Sequence, residues 1–174
     1  MYILGINAYH GDASACLIKD GVLIVALEEE RMRRIKHWAG FPSEAVKFCL
    51  AYGGITIHDV DYIAISRDPS VHLMRKAAFI IKQRPSVRAI VERLKNRAKV
   101  KNIESEIAAH CGGKEEVIKS KLRNVEHHRA HIGSAFFVSP FENAAVLSLD
   151  GMGDFASAMW GVGEGNAVTI MDKV

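Results

Sequence analysis

The chain has 174 residues, 49% of them hydrophobic, with 23 basic and 20 acidic side chains and a formal net charge of +3, which fits a globular protein of one domain or two small lobes. No apolar run approaches the roughly 20 residues of a membrane-spanning helix, and no secretory signal precedes the first strand-like run. The scattered Cys16, Cys49 and Cys111 argue against a disulfide framework or a cysteine zinc site, so we expect a cytoplasmic protein.

The first thirty residues are predicted to form three strands. Their ranges are 2–8, 13–19 and 22–28. Asp20 and Gly21 separate the last two strands as a two-residue hairpin turn, because both central positions of a type I′ turn take positive φ.

A helix is predicted to follow the charged stretch 28–37. We expect Ser43 to act as its N-cap, with Pro42 setting the direction of the chain. Gly53 and the glycine after it would end this helix. Residues 60–66 then have the composition of a strand.

Most of the basic charge lies in one segment. Residues 75–101 contain ten Lys or Arg and a single acid, Glu92. Helices are predicted at 71–83 and 86–99, separated by Pro85. The segment could contact nucleic acid or another anionic partner, but we favour the solvated face of two helices.

The C-terminal part of the chain adds a second set of three strands. Helices are predicted at 103–111, 114–120 and 129–138, and strands at 144–149, 156–162 and 167–171. Strand, polar loop, strand, turn and strand therefore occur in the same order at 2–28 and at 144–172. This order indicates a weak internal repeat of architecture.

The most distinctive polar cluster lies in the stretch EHHRAH. His127 and His131 are four residues apart, so a helix would place both imidazoles on one face, within reach of one metal ion. Asp150 follows an apolar strand beside Gly151 and Gly153, whose backbone N–H groups could approach phosphate oxygens. Taken alone, the histidine pair also fits a helix surface, and the glycines also fit a polar turn.

Two N-terminal segments carry further reactive groups. The loop HGDASA offers the imidazole of His10 and the carboxylate of Asp12. The charged stretch 28–37 offers Arg34 and Lys36 as donors to an anion. A solvated turn and a surface ion-pair network are the alternative interpretations. The sequence lacks the phosphate-loop, dinucleotide-binding, GxSxG and HExxH motifs.

Taken together, these segments resemble the O-carbamoyltransferases, a family whose enzymes carbamoylate nodulation factors, cephalosporins and aminoglycosides. The resemblance is carried by the blocks LGIN, HGDASA, EER, RIKH and FP, followed by EHHRAH, SAF, SPF and LDGMGD. The blocks occur in the family's order and cover most of the chain apart from the basic segment. Their combination is far more specific than any single motif.

The resemblance implies an α/β fold of the ribonuclease H-like, actin-like ATPase type, with helices flanking a mixed sheet. Residues 1–125 would form the first lobe, with a basic helical insertion at about 71–121. Residues 126–174 would supply a metal-binding helix and the opening strands of a second lobe. Since the family's catalytic domain is longer and an adenylate-forming domain follows it, we expect the 174 residues alone to lack carbamoyltransferase activity.

The resemblance also implies a reaction and a metal site. Such enzymes form carbamoyl-adenylate from carbamoyl phosphate and ATP, and then transfer the carbamoyl group to an acceptor hydroxyl beside a bound metal. By position, His127, His131 and Asp150 would be the metal ligands, with Fe²⁺ favoured and Zn²⁺ as the alternative. His128 would not be a ligand, because it lies about 100° around the helix.

The remaining roles are likewise implied by position. His10 and Asp12 would lie near the acceptor hydroxyl, one of them as general base. Lys36 would steady the carbamoyl or phosphate oxygens. Nucleotide contacts are expected from Arg67, Gly151, Gly153 and Asp154.

Two alternatives remain open at this point. One is a tRNA threonylcarbamoyl-transfer protein of the same superfamily, in which residues 75–101 would contact the RNA backbone. The other is a metal-binding module without catalysis. The expected partners are a small hydroxyl compound, a second lobe and an adenylate-forming domain; a homodimer stays open, and no membrane partner is expected.

Overall fold

A computed structural model describes residues 1–9, 11–68, 103–153 and 156–174, with the backbone alone at 152 and 153. The predicted helices at 71–83 and 86–99 lie outside the described residues, as do the basic segment 75–101, His10 and Asp154.

The described residues form eight strands and five helices. The strands are β1 (Tyr2–Asn7), β2 (Ser14–Lys19), β3 (Val22–Glu28), β4 (Tyr62–Ile65), β5 (Leu122–Asn124), β6 (Asn143–Gly153), β7 (Ala156–Glu164) and β8 (Ala167–Lys173). The helices are α1 (Glu29–Arg33), α2 (Ser43–Tyr52), α3 (Ile103–Cys111), α4 (Glu115–Lys121) and α5 (His127–Phe136). Among them, no helix has the length and hydropathy that crossing a bilayer requires.

The larger sheet has the strand order β3-β2-β1-β4-β5. β1, β2 and β3 pair antiparallel, whereas β1 and β4 run parallel, so the predicted mixed sheet of an α/β protein is confirmed. Leu4 of β1 and Leu17 of β2 are cross-strand partners and fully buried. They belong to one core with Val46 and Cys49 of α2 and with Ile107 of α3. This core fixes the loops at the ends of β1 and β3.

The smaller sheet is the antiparallel meander β6-β7-β8. Its strands alternate buried and exposed residues, and α5 packs on the buried face through Ile132 and Phe136 against Val146 and Met159. The predicted architectural repeat is therefore confirmed, since β1–β3 form the same antiparallel meander. A Cβ on Gly163 would lie 2.5 Å from the Phe136 ring, so only glycine lets α5 approach β7 this closely.

The chain divides into two compact units. The described residues of the first unit are 1–9, 11–65 and 103–123, and those of the second are 66–68, 124–153 and 156–174. The larger core belongs to the first unit, and the core under α5 belongs to the second.

The predicted N-cap role of Ser43 is wrong. Pro42 occupies the N-cap position, and Ser43 is a buried first residue of α2 whose hydroxyl accepts a hydrogen bond from Arg33 Nη2 at 2.8 Å. The N–H groups of Glu44 and Ala45 donate instead to the Glu29 carboxylate, at 3.2 and 2.8 Å. A carboxylate satisfies these amides better than a hydroxyl, because its charge is also favoured at the positive end of the helix dipole.

One further helix and two boundaries also differ from the prediction. The charged stretch 28–37 contains the short helix α1, which was not predicted. The helix predicted from 129 begins at His127. β6 does not end before Asp150 but continues to Gly153, because pairing with β7 resumes at Gly153 after a shift in register.

Candidate functional site

Three of the predicted side chains meet in the second unit, and we name them the His–His–Asp cluster. His127 Nε2 lies 2.6 Å from Asp150 Oδ2 and 3.1 Å from His131 Nε2, and the distance from His131 Nε2 to Asp150 Oδ2 is 3.7 Å. One ligand atom of each residue lies within 4.8 Å of the other two. The four-residue spacing on α5 thus brings both imidazoles to the same carboxylate.

The path of β6 explains the position of Asp150. Ser148 is buried on the face of β6 that meets α5, and Asp150 follows two residues later on the same face. The register shift after Leu149 interrupts the ladder at this point, as a β-bulge does when it redirects a side chain. The N–H of Gly151 donates to Asp150 Oδ1 at 2.6 Å, and the other oxygen faces His127.

His128 anchors the helix that carries the two histidines. Its side chain is fully buried, with Nδ1 2.8 Å from Ser148 Oγ and Nε2 2.9 Å from the carbonyl oxygen of Ala156. Because the carbonyl can only accept, Nε2 carries a proton and donates to it. The first turn of α5 is thereby joined to β6 and β7, which hold Asp150 in place.

A buried acid fixes the start of α5 to the last strand. Glu126 is 7% exposed, and its carboxylate accepts a hydrogen bond from Lys173 Nζ of β8 at 2.9 Å. Its other oxygen lies 3.4 Å from Arg129 Nε. The His–His–Asp cluster is thus supported from three strands, and sequence reasoning had assigned no role to Glu126.

The electrostatics of the cluster favour the protonation states that bind metal. The hydrogen bond from His127, followed by that from Gly151, lowers the pKa of Asp150. Burial, followed by the neighbouring His127, lowers the pKa of His131. An ionised carboxylate and a neutral imidazole are the ligand forms of divalent metals, and two imidazoles with one carboxylate suit iron or zinc. The donor set therefore fits the implied metal.

A second cluster, which we name the loop cluster, lies in the first unit. Its members are Asp12, Glu30 and His37. His37 Nδ1 is 2.8 Å from Asp12 Oδ1, and the backbone N–H of His37 donates to Glu30 Oε2 at 3.1 Å. The hydrogen bond with Asp12 raises the pKa of His37. Sequence reasoning named Asp12 but missed His37, because no local pattern indicates a contact across 25 positions.

Lys36 lies beside this cluster. An open pocket of about 230 Å³ is lined by Glu30, Arg31, Arg34 and Lys36. Three of these four side chains are cationic, so the pocket suits an anionic group. The position of Lys36 is compatible with the predicted contact to carbamoyl or phosphate oxygens.

The predicted nucleotide-contacting residues are scattered over different elements. Arg67 follows β4 and is half-buried. Gly151 and Gly153 lie within β6, and Gly153 pairs with Ala156 of β7. A Cβ on Gly151 would meet nothing within 4 Å, so no packing contact among the described residues requires glycine there. Asp154, like His10, lies outside the described residues.

Comparison with known proteins identifies relatives over nearly the whole chain. Residues 2–174 match the family described as Carbamoyltransferase N-terminus. The nodulation protein NolNO of Sinorhizobium fredii is 34% identical over 163 residues, which cover 93% of this chain and 22% of that protein. An uncharacterized protein of Synechocystis sp. is 37% identical over 173 residues, which cover 97% of this chain and 28% of that protein. The chain thus spans about a quarter of the length of these relatives.

A solved structure shows a similar fold. YeaZ from Pseudomonas aeruginosa superposes with a TM-score of 0.53 at 12% sequence identity, covering 99% of this chain and 66% of that one. At this level of identity the likeness concerns the fold alone.

Proposed function

The chain belongs to the carbamoyltransferase family, whose N-terminal region it matches, and from this premise we propose that it contributes to transfer of a carbamoyl group from carbamoyl-adenylate to an acceptor hydroxyl. The donor would be made from carbamoyl phosphate and ATP. The observation that carries the proposal is the convergence of His127, His131 and Asp150 in a chain of this family.

In this proposal, the His–His–Asp cluster holds a divalent metal, with Fe²⁺ favoured over Zn²⁺. A metal bound there would neutralise phosphate charge and polarise the carbamoyl carbonyl. The ionised Asp150 and the neutral His131 supply ligand atoms without prior loss of a proton. The buried His128 keeps α5 and β6 at a fixed separation, so the ligands are organised before the metal binds.

The first unit would bind the reacting groups. Lys36 and Arg34, at the basic pocket, would hold carbamoyl or phosphate oxygens. Asp12 or His10 would lie near the acceptor hydroxyl. Nucleotide contacts from Arg67, Gly151, Gly153 and Asp154 complete the proposed set.

The proposed fold is the ribonuclease H-like, actin-like ATPase type. The mixed order β3-β2-β1-β4-β5, the repeated meander and the coarse likeness to YeaZ support it. The proposed lobes are residues 1–125 and the opening part of a second lobe at 126–174. Because the chain spans about a quarter of its relatives, a fuller second lobe and an adenylate-forming domain are proposed partners, acting with it in the cytoplasm. The alternative role in tRNA modification stays a prediction, since its basic segment lies outside the described residues.

Metal content tests the centre directly. The purified chain, loaded anaerobically with Fe²⁺ or Zn²⁺, should retain about one equivalent per chain by elemental analysis after desalting. His127→Ala and Asp150→Asn should each lose it, because two ligand atoms are too few for tight binding. The matched control is His110→Ala, which removes the histidine of a surface pair with Glu106. Equal metal content in wild type and His127→Ala would remove the metal centre from the proposal.

Carbamoyl transfer tests the reaction. The complete gene product, given ATP and radiolabelled carbamoyl phosphate, should label at least one hydroxyl compound among chitotetraose, an aminoglycoside and a cephalosporin alcohol. The 174-residue chain alone should label none. Absence of transfer by the complete protein to all three acceptors would refute the proposed function, and transfer by the chain alone would refute its need for partners.

A further inference from the structure

Building on the proposed function, we infer that His37 is the base that takes the proton of the acceptor hydroxyl, and that Asp12 is the residue that positions it. The candidates from sequence for this role were His10 and Asp12. The geometry of the loop cluster assigns this role instead to His37, because the contact with Asp12 orients its imidazole.

The contact between the two side chains sets the tautomer of His37. Nδ1 lies 2.8 Å from Asp12 Oδ1, and an ionised carboxylate can only accept a hydrogen bond. Nδ1 therefore carries the proton, and Nε2 presents its lone pair on the opposite edge of the ring. The side chain of His37 is 78% exposed, so that edge is accessible to a substrate.

Backbone hydrogen bonds join the two loops on either side of this contact. The N–H of Ala13 donates to the carbonyl of Trp38 at 3.0 Å, and that of Tyr9 donates to the carbonyl of Gly40 at 3.2 Å. Glu30 adds the bond to the backbone N–H of His37. The imidazole and the carboxylate thus belong to segments that are held together independently of their own ion pair.

Both residues of the pair adopt a strained backbone conformation. Asp12 has φ 64° and His37 has φ 54°, in the left-handed region that side chains disfavour. Of the five non-glycine residues with positive φ in the described chain, four lie in these two loops, including Tyr9 and Arg34. Such conformations are sparsely populated and persist where the surroundings impose them, often at functional sites.

Buried polar groups support the same loops. Glu29 is fully buried and accepts from Arg33 Nε at 2.6 Å, while the Arg33 guanidinium lies 4.4 Å from the centre of the Trp38 ring. Among the described residues, the Tyr9 hydroxyl and the Trp38 indole N–H are buried in these loops without a hydrogen-bond partner, which costs free energy rather than stabilising them. A surface ion pair needs none of these arrangements; His110 and Glu106, 3.5 Å apart, both lie on the regular helix α3, and the ring of His110 stacks on that of Phe41 with 5.8 Å between the centroids.

The charges around His37 suit a base next to an anionic donor. Asp12, Glu30 and Glu28 act on the imidazole, and the hydrogen bond with Asp12 is the main reason that the pKa of His37 is raised. The basic pocket that contains Lys36 borders the same cluster through Glu30. A phosphate bound in that pocket would lie next to the base.

The proposed step moves one proton and exchanges one bond of the carbamoyl carbon to oxygen for another. His37 Nε2 takes the proton of the acceptor hydroxyl while the hydroxyl oxygen forms a bond to the carbamoyl carbon. The bond from that carbon to the phosphate oxygen breaks, and AMP leaves with the bonding electron pair. The imidazolium then returns its proton to water.

The test uses the complete gene product with ATP, radiolabelled carbamoyl phosphate and the three acceptors named above. His37→Gln should lower kcat about 100-fold or more with little change in KM for carbamoyl phosphate, since a base acts in the transition state. Asp12→Asn should lower the pKa of His37 and shift the acidic limb of the pH–rate profile to lower pH. The matched control His110→Gln should leave both unchanged, and circular dichroism should show folded variants throughout.

The outcomes separate the two proposals. Transfer by wild type with an equal rate in His37→Gln and His110→Gln would overturn the role of His37 and leave the proposed function standing. Absence of transfer by wild type would overturn the proposed function and the catalytic role together. Independently, NMR of the 174-residue chain should show the Nδ1–H tautomer of His37, lost in Asp12→Asn; the Nε2–H tautomer in wild type would overturn the geometry.

Discussion

The two side-chain clusters of this protein are built in different ways. The His–His–Asp cluster projects from regular elements, with both imidazoles on α5 and the carboxylate on β6. The loop cluster takes Asp12 and His37 from irregular segments and only Glu30 from a helix. Each depends on one fully buried ionisable side chain, His128 for the first and Glu29 for the second.

The difference shows two ways of holding polar groups in place. In the second unit, a buried imidazole with two hydrogen bonds fixes the distance between a helix and a sheet. In the first unit, a buried carboxylate binds one helix side chain and the first amides of another helix, and the loop between the two helices is held as a consequence. Helices and strands position side chains precisely through their repeating backbone geometry, whereas loop side chains need several separate contacts to be held in place.

The largest effect is expected at the buried acid of the first unit. Glu29→Gln should lower the free energy of unfolding by about 3 kcal/mol, because Arg33 loses its charged partner and the amides of α2 lose theirs. Urea denaturation measures this. Glu28→Gln, at an exposed pair with Arg31, should change stability by less than about 0.5 kcal/mol.

Glu29→Gln also tests whether the two side-chain clusters are built independently. The metal content of Glu29→Gln should equal that of wild type under native conditions, since the His–His–Asp cluster belongs to the other unit. Loss of metal from a folded Glu29→Gln protein would contradict the separate construction of the two clusters.

The second largest effect is expected at the buried imidazole. His128→Phe should cost about 2 kcal/mol of stability, because the Ser148 hydroxyl and the Ala156 carbonyl lose their buried partner. It should also weaken metal binding about 10-fold or more, as loss of an orienting residue does. Urea denaturation and metal titration measure the two effects, with the exposed His110→Phe as control.

Unchanged metal affinity in His128→Phe, despite reduced stability, would contradict the view that His128 organises the ligands. It would show instead that α5 and β6 keep their separation through apolar packing alone.

The smallest effect is expected where α5 meets β7. Gly163→Ala should destabilise the protein by about 1 kcal/mol, since the new Cβ would lie 2.5 Å from the Phe136 ring. Phe136→Leu in the same chain should recover part of this loss. Gly151→Ala, with nothing within 4 Å of its Cβ, is the control for stability, and an equal loss in both variants would refute the packing explanation.

Much of the fold could be predicted from local sequence. Alternating apolar residues and turn signals located both meanders, and Asp20 with Gly21 form the predicted turn, with φ of 50° and 84°. The four-residue spacing of His127 and His131 predicted one shared face, because the helical period is a local property. These features depend on neighbours a few positions apart.

The remaining features depend on contacts between distant positions. The Glu29 carboxylate replaces Ser43 at the start of α2 across 16 positions, and His37 meets Asp12 across 25. The periodicity of apolar residues in the sequence does not predict contacts between positions so far apart. The shift in register of β6 against β7 after Leu149, where Asp150 leaves the ladder, likewise depends on a distant strand.

The sequence alone thus determined all the described strands except the short β5, most of the described helices, the family resemblance and the residues proposed to hold a metal. Tertiary structure alone decided which acid binds the amides of α2, how His128 joins α5 to its sheet, and which imidazole Asp12 orients. The physical reason is that periodicity and turn chemistry act between near neighbours. The partner of a buried charge or of a loop side chain is chosen only when the chain has folded.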